Sequence, residues 1–169
     1  MRRIDPWAAF PDVQHQLAGD GAFLVSVDSE GHPNVMTIGW GLLGTIWRRQ
    51  VFLVLVRPSR YTHGLIEKSD AFAVCVPKAG ELSDALAFCG SRSGREVDKV
   101  KELGLDLVPG QAGPVPLLAE CDVHYECRVV TRTALVPEGL LSPEIRARYY
   151  ARGDLHTLFF GEILAAWRD

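Results

Sequence analysis

Apolar positions fall in short blocks along this chain, and most blocks have the length of strands. Ala22–Val27, Val51–Val56 and Ala71–Val76 are almost wholly apolar, the pattern of strands buried on both faces. Val35–Trp40 predicts a further strand, joined to Ala22–Val27 as a hairpin through the turn cluster Asp28-Ser29-Glu30-Gly31-His32-Pro33. Cys121, Val123, Tyr125, Cys127 and Val129 share one parity, while Asp122, His124, Glu126 and Arg128 share the other. Period two predicts a half-buried strand with both cysteines inward and His124 in solvent. A last strand is expected over Leu158–Trp167.

Helical spacing occurs in four shorter stretches. Trp7–Leu17 is amphipathic and closed by Gly19, and Ser59 is placed to cap a helix over Arg60–Lys68. Glu81–Phe88 has Gly90 as terminator, and Ser93 with Glu96 has capping-box spacing ahead of the stripe Val97, Val100, Leu103. About six strands with helices between them predict a mainly β fold with inserted helices, a small closed barrel. No repeat or linker divides it, so one domain over residues 1–169 is expected.

Composition narrows the function classes. With 18 Lys and Arg against 21 Asp and Glu the net charge is −3, which gives no reason to expect nucleic acid as a partner. No uninterrupted apolar run exceeds six residues, far below the ~20 needed to span a bilayer, so no membrane role is expected. Arg2 and Arg3 lead into Ile4-Asp5-Pro6 and not into an apolar stretch, so no secretory signal is expected. Cys75, Cys89, Cys121 and Cys127 include no Cys-x-x-Cys pair. They are read as reduced thiols packed in a cytoplasmic protein. His15, His32 and His63 have no metal-ligand spacing, and no metal is expected.

Gly39-Trp40-Gly41-Leu42-Leu43-Gly44 matches a dinucleotide-binding fingerprint letter for letter. That fingerprint must open a helix, and the six residues Thr45–Gln50 before the next strand leave no room for one. Two other segments carry more chemistry. Arg57-Pro58-Ser59-Arg60-Tyr61-Thr62 brings two guanidinium groups and two aliphatic hydroxyls to a helix start, the donors that a phosphate dianion takes. Gly90-Ser91-Arg92-Ser93-Gly94-Arg95 leads into a second helix, with Asp98 and Lys99 one turn on. Small residues there let backbone amides approach an anion. Each segment alone is equally well read as a capped helix with solvated arginines.

In order and spacing, three motifs together resemble the flavin reductase-like family, particularly its flavoredoxin branch. They are Asn34-Val35-Met36-Thr37-Ile38-Gly39-Trp40, Arg57–Thr62 and Cys89-Gly90-Ser91-Arg92-Ser93-Gly94-Arg95-Glu96-Val97-Asp98-Lys99. His156-Thr157-Leu158-Phe159-Phe160-Gly161-Glu162-Ile163 is similar to that family's closing strand. The resemblance implies an FMN-binding split β-barrel that forms a homodimer. It implies that Asn34, Met36, Thr37, Ile38, Gly39 and Trp40 lie along the flavin ring. Arg57, Ser59, Arg60, Tyr61 and Thr62, with Cys89, Gly90, Ser91, Arg92, Ser93, Gly94 and Lys99, would then lie toward its phosphate. Family members often carry Pro-Pro before the third strand, where this chain has Trp47-Arg48-Arg49-Gln50.

The expected activity is an NADH- or NADPH-dependent flavin reductase, with His156 as the candidate catalytic residue. It would pass hydride equivalents through FMN to free flavin or another acceptor. Two rivals remain at this level: an FMN-bearing electron carrier served by a partner redox protein, and a flavin-free binding module on the same barrel.

Overall fold

The computed structural model describes residues 1–169. Eight strands form one antiparallel sheet: β1 (Arg2–Ile4), β2 (Ala22–Val27), β3 (Pro33–Ile38), β4 (Gly41–Ile46), β5 (Arg49–Val56), β6 (Ala71–Val76), β9 (Val123–Ala134) and β10 (Thr157–Arg168). The hydrogen-bonded order is β3-β2-β6-β9-β10-β5-β4, with β1 on β10. β3 and β4 are the two ends of that path and do not pair, so the barrel is split and not closed. Two residues, Gly39 and Trp40, carry the chain from one edge to the other.

Five helices are inserted: α1 (Phe10–Ala18), α2 (Tyr61–Ser69), α3 (Ser83–Ser91), α4 (Lys99–Leu103) and α5 (Pro143–Tyr149). A short ribbon, β7 (Leu107–Val108) with β8 (Leu117–Leu118), stands apart from the sheet. No helix is long and apolar enough to cross a membrane.

β2 and β6 match their apolar runs residue for residue because both faces are covered. One face packs inside the barrel, where Leu24, Phe52, Phe72, Tyr125 and Phe159 meet. The other packs under α3 and the ribbon segment, where Phe23, Val25, Cys75, Leu86, Cys89 and Leu117 form a second core. This second layer corrects the parity reading of β9. His124 and Glu126 are not in solvent but buried beneath it, and neither ring nitrogen of His124 finds a partner. Cys127 does face the barrel interior, but Cys121 precedes the strand and packs in the outer core. All four cysteines are free and buried.

The Gly-x-Gly-x-x-Gly match lies largely in β4, which forms a hairpin with β5. The turn is Trp47-Arg48, both left-handed at φ 52° and 58°, the conformation of a two-residue hairpin turn that ordinarily favours Asn and Gly. Three predicted helix signals are displaced. Gly90 lies inside α3, which runs on to Ser91. Ser93 accepts from the Arg95 amide, and Asp98 caps α4 through the Lys101 amide. Ser59 does not cap α2, whose N-cap is Arg60 without a side-chain bond. At Gly161 a Cβ would sit 2.4 Å from the Phe72 ring and 2.8 Å from Cys127 Cβ, so only glycine lets β10 pass this close.

Glu126 ties the loop before β8 to the sheet. Its Oε1 accepts from Gln111 N and Ala112 N at 3.1 Å and from Trp167 Nε1 at 2.7 Å. Oε2 accepts from Ala112 N at 2.9 Å and Gly113 N at 2.8 Å. Removing a buried carboxylate leaves these donors unpaired, and each hydrogen bond to a charged group is worth about 1.5–3 kcal/mol. Glu126→Ala is therefore expected to lower unfolding free energy by about 3 kcal/mol or more, read as a fall in urea midpoint at constant slope.

Candidate functional site

The split edge opens onto a groove made of two joined cavities. The larger, about 330 Å³, is lined by β3 and its exit (Met36, Thr37, Ile38, Gly39, Trp40), by Leu55 near the end of β5, by Arg57, Ser59 and Arg60, and by His156. The smaller, about 130 Å³, is lined by Asn34, Tyr61, Thr62, Arg92, Ser93, Gly94 and Lys99, and shares Met36, Ser59 and Arg60 with the first. Segments far apart in the chain thus meet in one groove, with a flat, partly aromatic end and a small cationic end.

The cationic end is built with little freedom. Asn34 Nδ2 donates to Thr62 Oγ1 at 2.7 Å, joining β3 to α2. A Cβ on Gly94 would lie 2.0 Å from Asn34 Oδ1 and 2.9 Å from Tyr61 Cδ1, so this position admits only glycine. Arg60 donates to the Gly90 carbonyl, and Arg95 donates to Ser59 O while lying over the Tyr61 ring. Lys99 is only 4% exposed, and its Nζ meets two carbonyls, Cys89 O and Arg92 O, each at 3.3 Å. No carboxylate forms an ion pair with Lys99, Arg60 or Arg92. Burial, with Arg60 adding to it, holds the Lys99 pKa below the usual lysine value. A buried cation without a counter-ion is costly unless an anion completes it.

The other end is framed by the segment between β9 and β10, a strap over residues 135–156 that contains α5. Arg57 does not present its whole fork to the groove. Its two terminal nitrogens donate to Asp154 O and Tyr149 O at 2.8 Å each, and the guanidinium lies over the Tyr150 ring. Ser59 is likewise engaged: its Oγ donates to Asp154 Oδ2 at 2.6 Å and its amide to Oδ1 at 3.2 Å. The strap so pinned sets Tyr149 edge-on against Trp40 at 5.0 Å, and His156 lies 5.1 Å from the same indole. Trp40 remains 39% exposed.

His156 is 8% exposed, and its Nδ1 is 2.8 Å from the Tyr150 hydroxyl. Burial, reinforced by Arg57 and opposed by Asp154, brings its pKa down to about 4. Cys89, Gly90 and Ser91 line neither cavity. Cys89 packs in the outer core, Gly90 offers its carbonyl to Arg60, and Ser91 Oγ donates to Phe88 O. Leu55, Tyr149, Tyr150 and Asp154 are missing from the sequence reading. Leu55 lies in a run read only as core, and the strap has no periodic pattern.

The family model for the flavin reductase-like domain matches residues 17–169. The chain belongs to this family. An uncharacterized protein of Archaeoglobus fulgidus is 36% identical over 132 residues, covering 78% of this chain and 63% of its own length. This chain therefore spans less than two thirds of that relative. Among solved structures, the flavoredoxin of Methanosarcina acetivorans aligns with TM-score 0.68 and 26% identity, over 88% of this chain and 68% of that one. An FMN-binding protein of Thermus thermophilus, solved with bound 1-cyclohex-2-enone, gives 0.66 and 28%, over 88% and 70%. The split barrel and the flavoredoxin likeness read from the motifs are thus borne out.

The two neutral histidines predict an acid limb in stability. Burial holds His124 and His156 below the ordinary histidine value of 6.5, His156 at about 4. Between those pH values the unfolded chain binds more protons than the folded one, so stability falls as pH drops. The contribution is complete above about pH 6.5 and is lost toward about pH 4. Urea midpoints measured from pH 7 to 4 should decline, and His156→Gln should flatten the decline.

Proposed function

We propose that this protein is an FMN-dependent oxidoreductase that takes electrons from NADH or NADPH and passes them to free flavin or another small acceptor. The observation that carries this reading is the pair of joined cavities. A buried, uncompensated Lys99 flanked by Arg60 and Arg92 fits a phosphate, and the larger space beside Met36–Trp40 fits a flat ring. Lys99, Arg60, Arg92, Ser93 and the Gly94 backbone would hold the phosphate, and the missing Cβ at Gly94 lets that backbone pack directly on Asn34 and Tyr61. Backbone groups of β3 and its exit would line the ring. Bound FMN supplies the hydride chemistry, and the protein supplies binding, orientation and electrostatics.

The chain's own residues have defined tasks in this scheme. Trp40, exposed at the groove mouth, offers a surface on which a planar donor or acceptor stacks. His156, neutral near pH 7, adds no positive charge to the site. A second copy of the chain is the proposed cover for Leu42 and Trp47 on the β4–β5 hairpin, which are 63% and 62% exposed. β6 needs no such cover, since the chain buries both of its faces by itself.

Anaerobic addition of NADH and of NADPH to the FMN-loaded protein tests the activity. Bleaching of the flavin band followed by turnover with added flavin is expected. A loaded protein that neither nucleotide reduces, but a partner redox protein does, would replace this reading with the electron carrier.

The phosphate assignment has its own test. FMN should bind on the order of 20- to 1000-fold tighter than riboflavin, taking one charge-assisted hydrogen bond at about 1.5–3 kcal/mol and one helix end at about 0.3–1 kcal/mol. Lys99→Met should weaken FMN by about tenfold or more and leave riboflavin nearly unchanged. Equal affinity for the two flavins in titrations of the apoprotein would remove the phosphate from this cavity.

A further inference from the structure

The Tyr150–His156 contact has no part in the binding scheme above, yet it is built with care. Arg57 holds the strap on both sides of Tyr150, at the carbonyls of Tyr149 and Asp154, and its guanidinium lies 5.2 Å from the Tyr150 ring centroid. The phenol is thereby set 2.8 Å from His156 Nδ1, and both side chains are buried. Tyr150 lines a separate cavity beneath α5 and not the groove, whereas His156 lines the groove. Nδ1 therefore faces Tyr150, the residue on the side of that separate cavity, and Nε2 makes no hydrogen bond within the chain.

We propose that Tyr150 is a positioning residue: it donates its hydroxyl hydrogen to His156 Nδ1 and so holds the imidazole as the neutral Nε2–H tautomer, with one donor aimed into the groove. A phenol is a stronger donor than a neutral imidazole N–H, and an imidazole nitrogen is a stronger acceptor than a phenol oxygen. The nearby guanidinium polarises the O–H further in the same sense. Which ring nitrogen carries the hydrogen is set by the bond that the other one makes.

The donor's place beside Trp40 defines the ligand chemistry it serves. A flat group lying on the exposed indole brings an edge oxygen toward Nε2–H, which suits a planar carbonyl or carboxamide compound. The nicotinamide carboxamide is one such group. This part rests on the oxidoreductase reading, while the tautomer itself does not.

Nitrogen-15 NMR of the histidine-labelled protein without flavin separates the two. At pH 7 His156, identified by its loss in His156→Gln, should show a protonated Nε2 and an unprotonated Nδ1. Tyr150→Phe should convert this single state into a mixture of tautomers. A proton on Nδ1 in the unaltered protein overturns the proposal, and this result does not depend on Tyr150→Phe folding. An unchanged tautomer in Tyr150→Phe overturns it as well. In the FMN-loaded protein, Tyr150→Phe should lower kcat/KM for NADH on the order of tenfold while the FMN Kd stays within about twofold. An unchanged kcat/KM would remove the role in the reaction, whatever the tautomer.

Discussion

The two edges of the main sheet never pair, and the chain itself crosses the gap in two residues, Gly39 and Trp40. Much of the site follows from that constraint. The end of β3 has no neighbour on its open side, so its exit can line a groove. The start of α2, the α3–α4 connection and the beginning of β10 all converge on the same opening. Strand ends and loops held by a rigid scaffold are where binding groups are ordinarily placed.

Charged side chains serve this fold in contrasting ways. Glu126 is buried but fully satisfied by backbone amides and Trp167, so its charge closes the fold on itself. Lys99 is buried with carbonyl dipoles alone, and its ammonium group has no counter-ion. The same physics that makes Glu126 structural underlies the anion-binding role proposed for Lys99. Arg57 takes a third role: by binding two strap carbonyls it positions Tyr149 against Trp40 and Tyr150 against His156.

Much of the strand framework was legible in the sequence, and β2 and β6 were read to the residue, because continuous apolar runs leave few alternatives. β4 was not: its glycines imitate a loop motif, and its strand character comes from pairing with β5. His124 and Glu126 were misplaced because period two assumes one wet face, and the layer that covers the other face comes from segments distant in sequence. Ser59 has the residue type of a helix cap, but Asp154 competes for its hydroxyl from 95 positions away. The same distance hides the strap contacts of Arg57. In the groove, the β3 segment and Lys99 were found from local motif order. Tyr150 was not, because nothing local marks it as the partner of His156.

The central claim is that the small cationic cavity receives a phosphate whose ring system fills the larger one. A crystal structure of the protein grown with FMN tests this most directly. The account predicts the phosphate within hydrogen-bond distance of Lys99 Nζ and Arg60, with the ring along Met36–Trp40 beside His156. FMN bound with its phosphate away from Lys99, or with its ring outside the larger cavity, would contradict it.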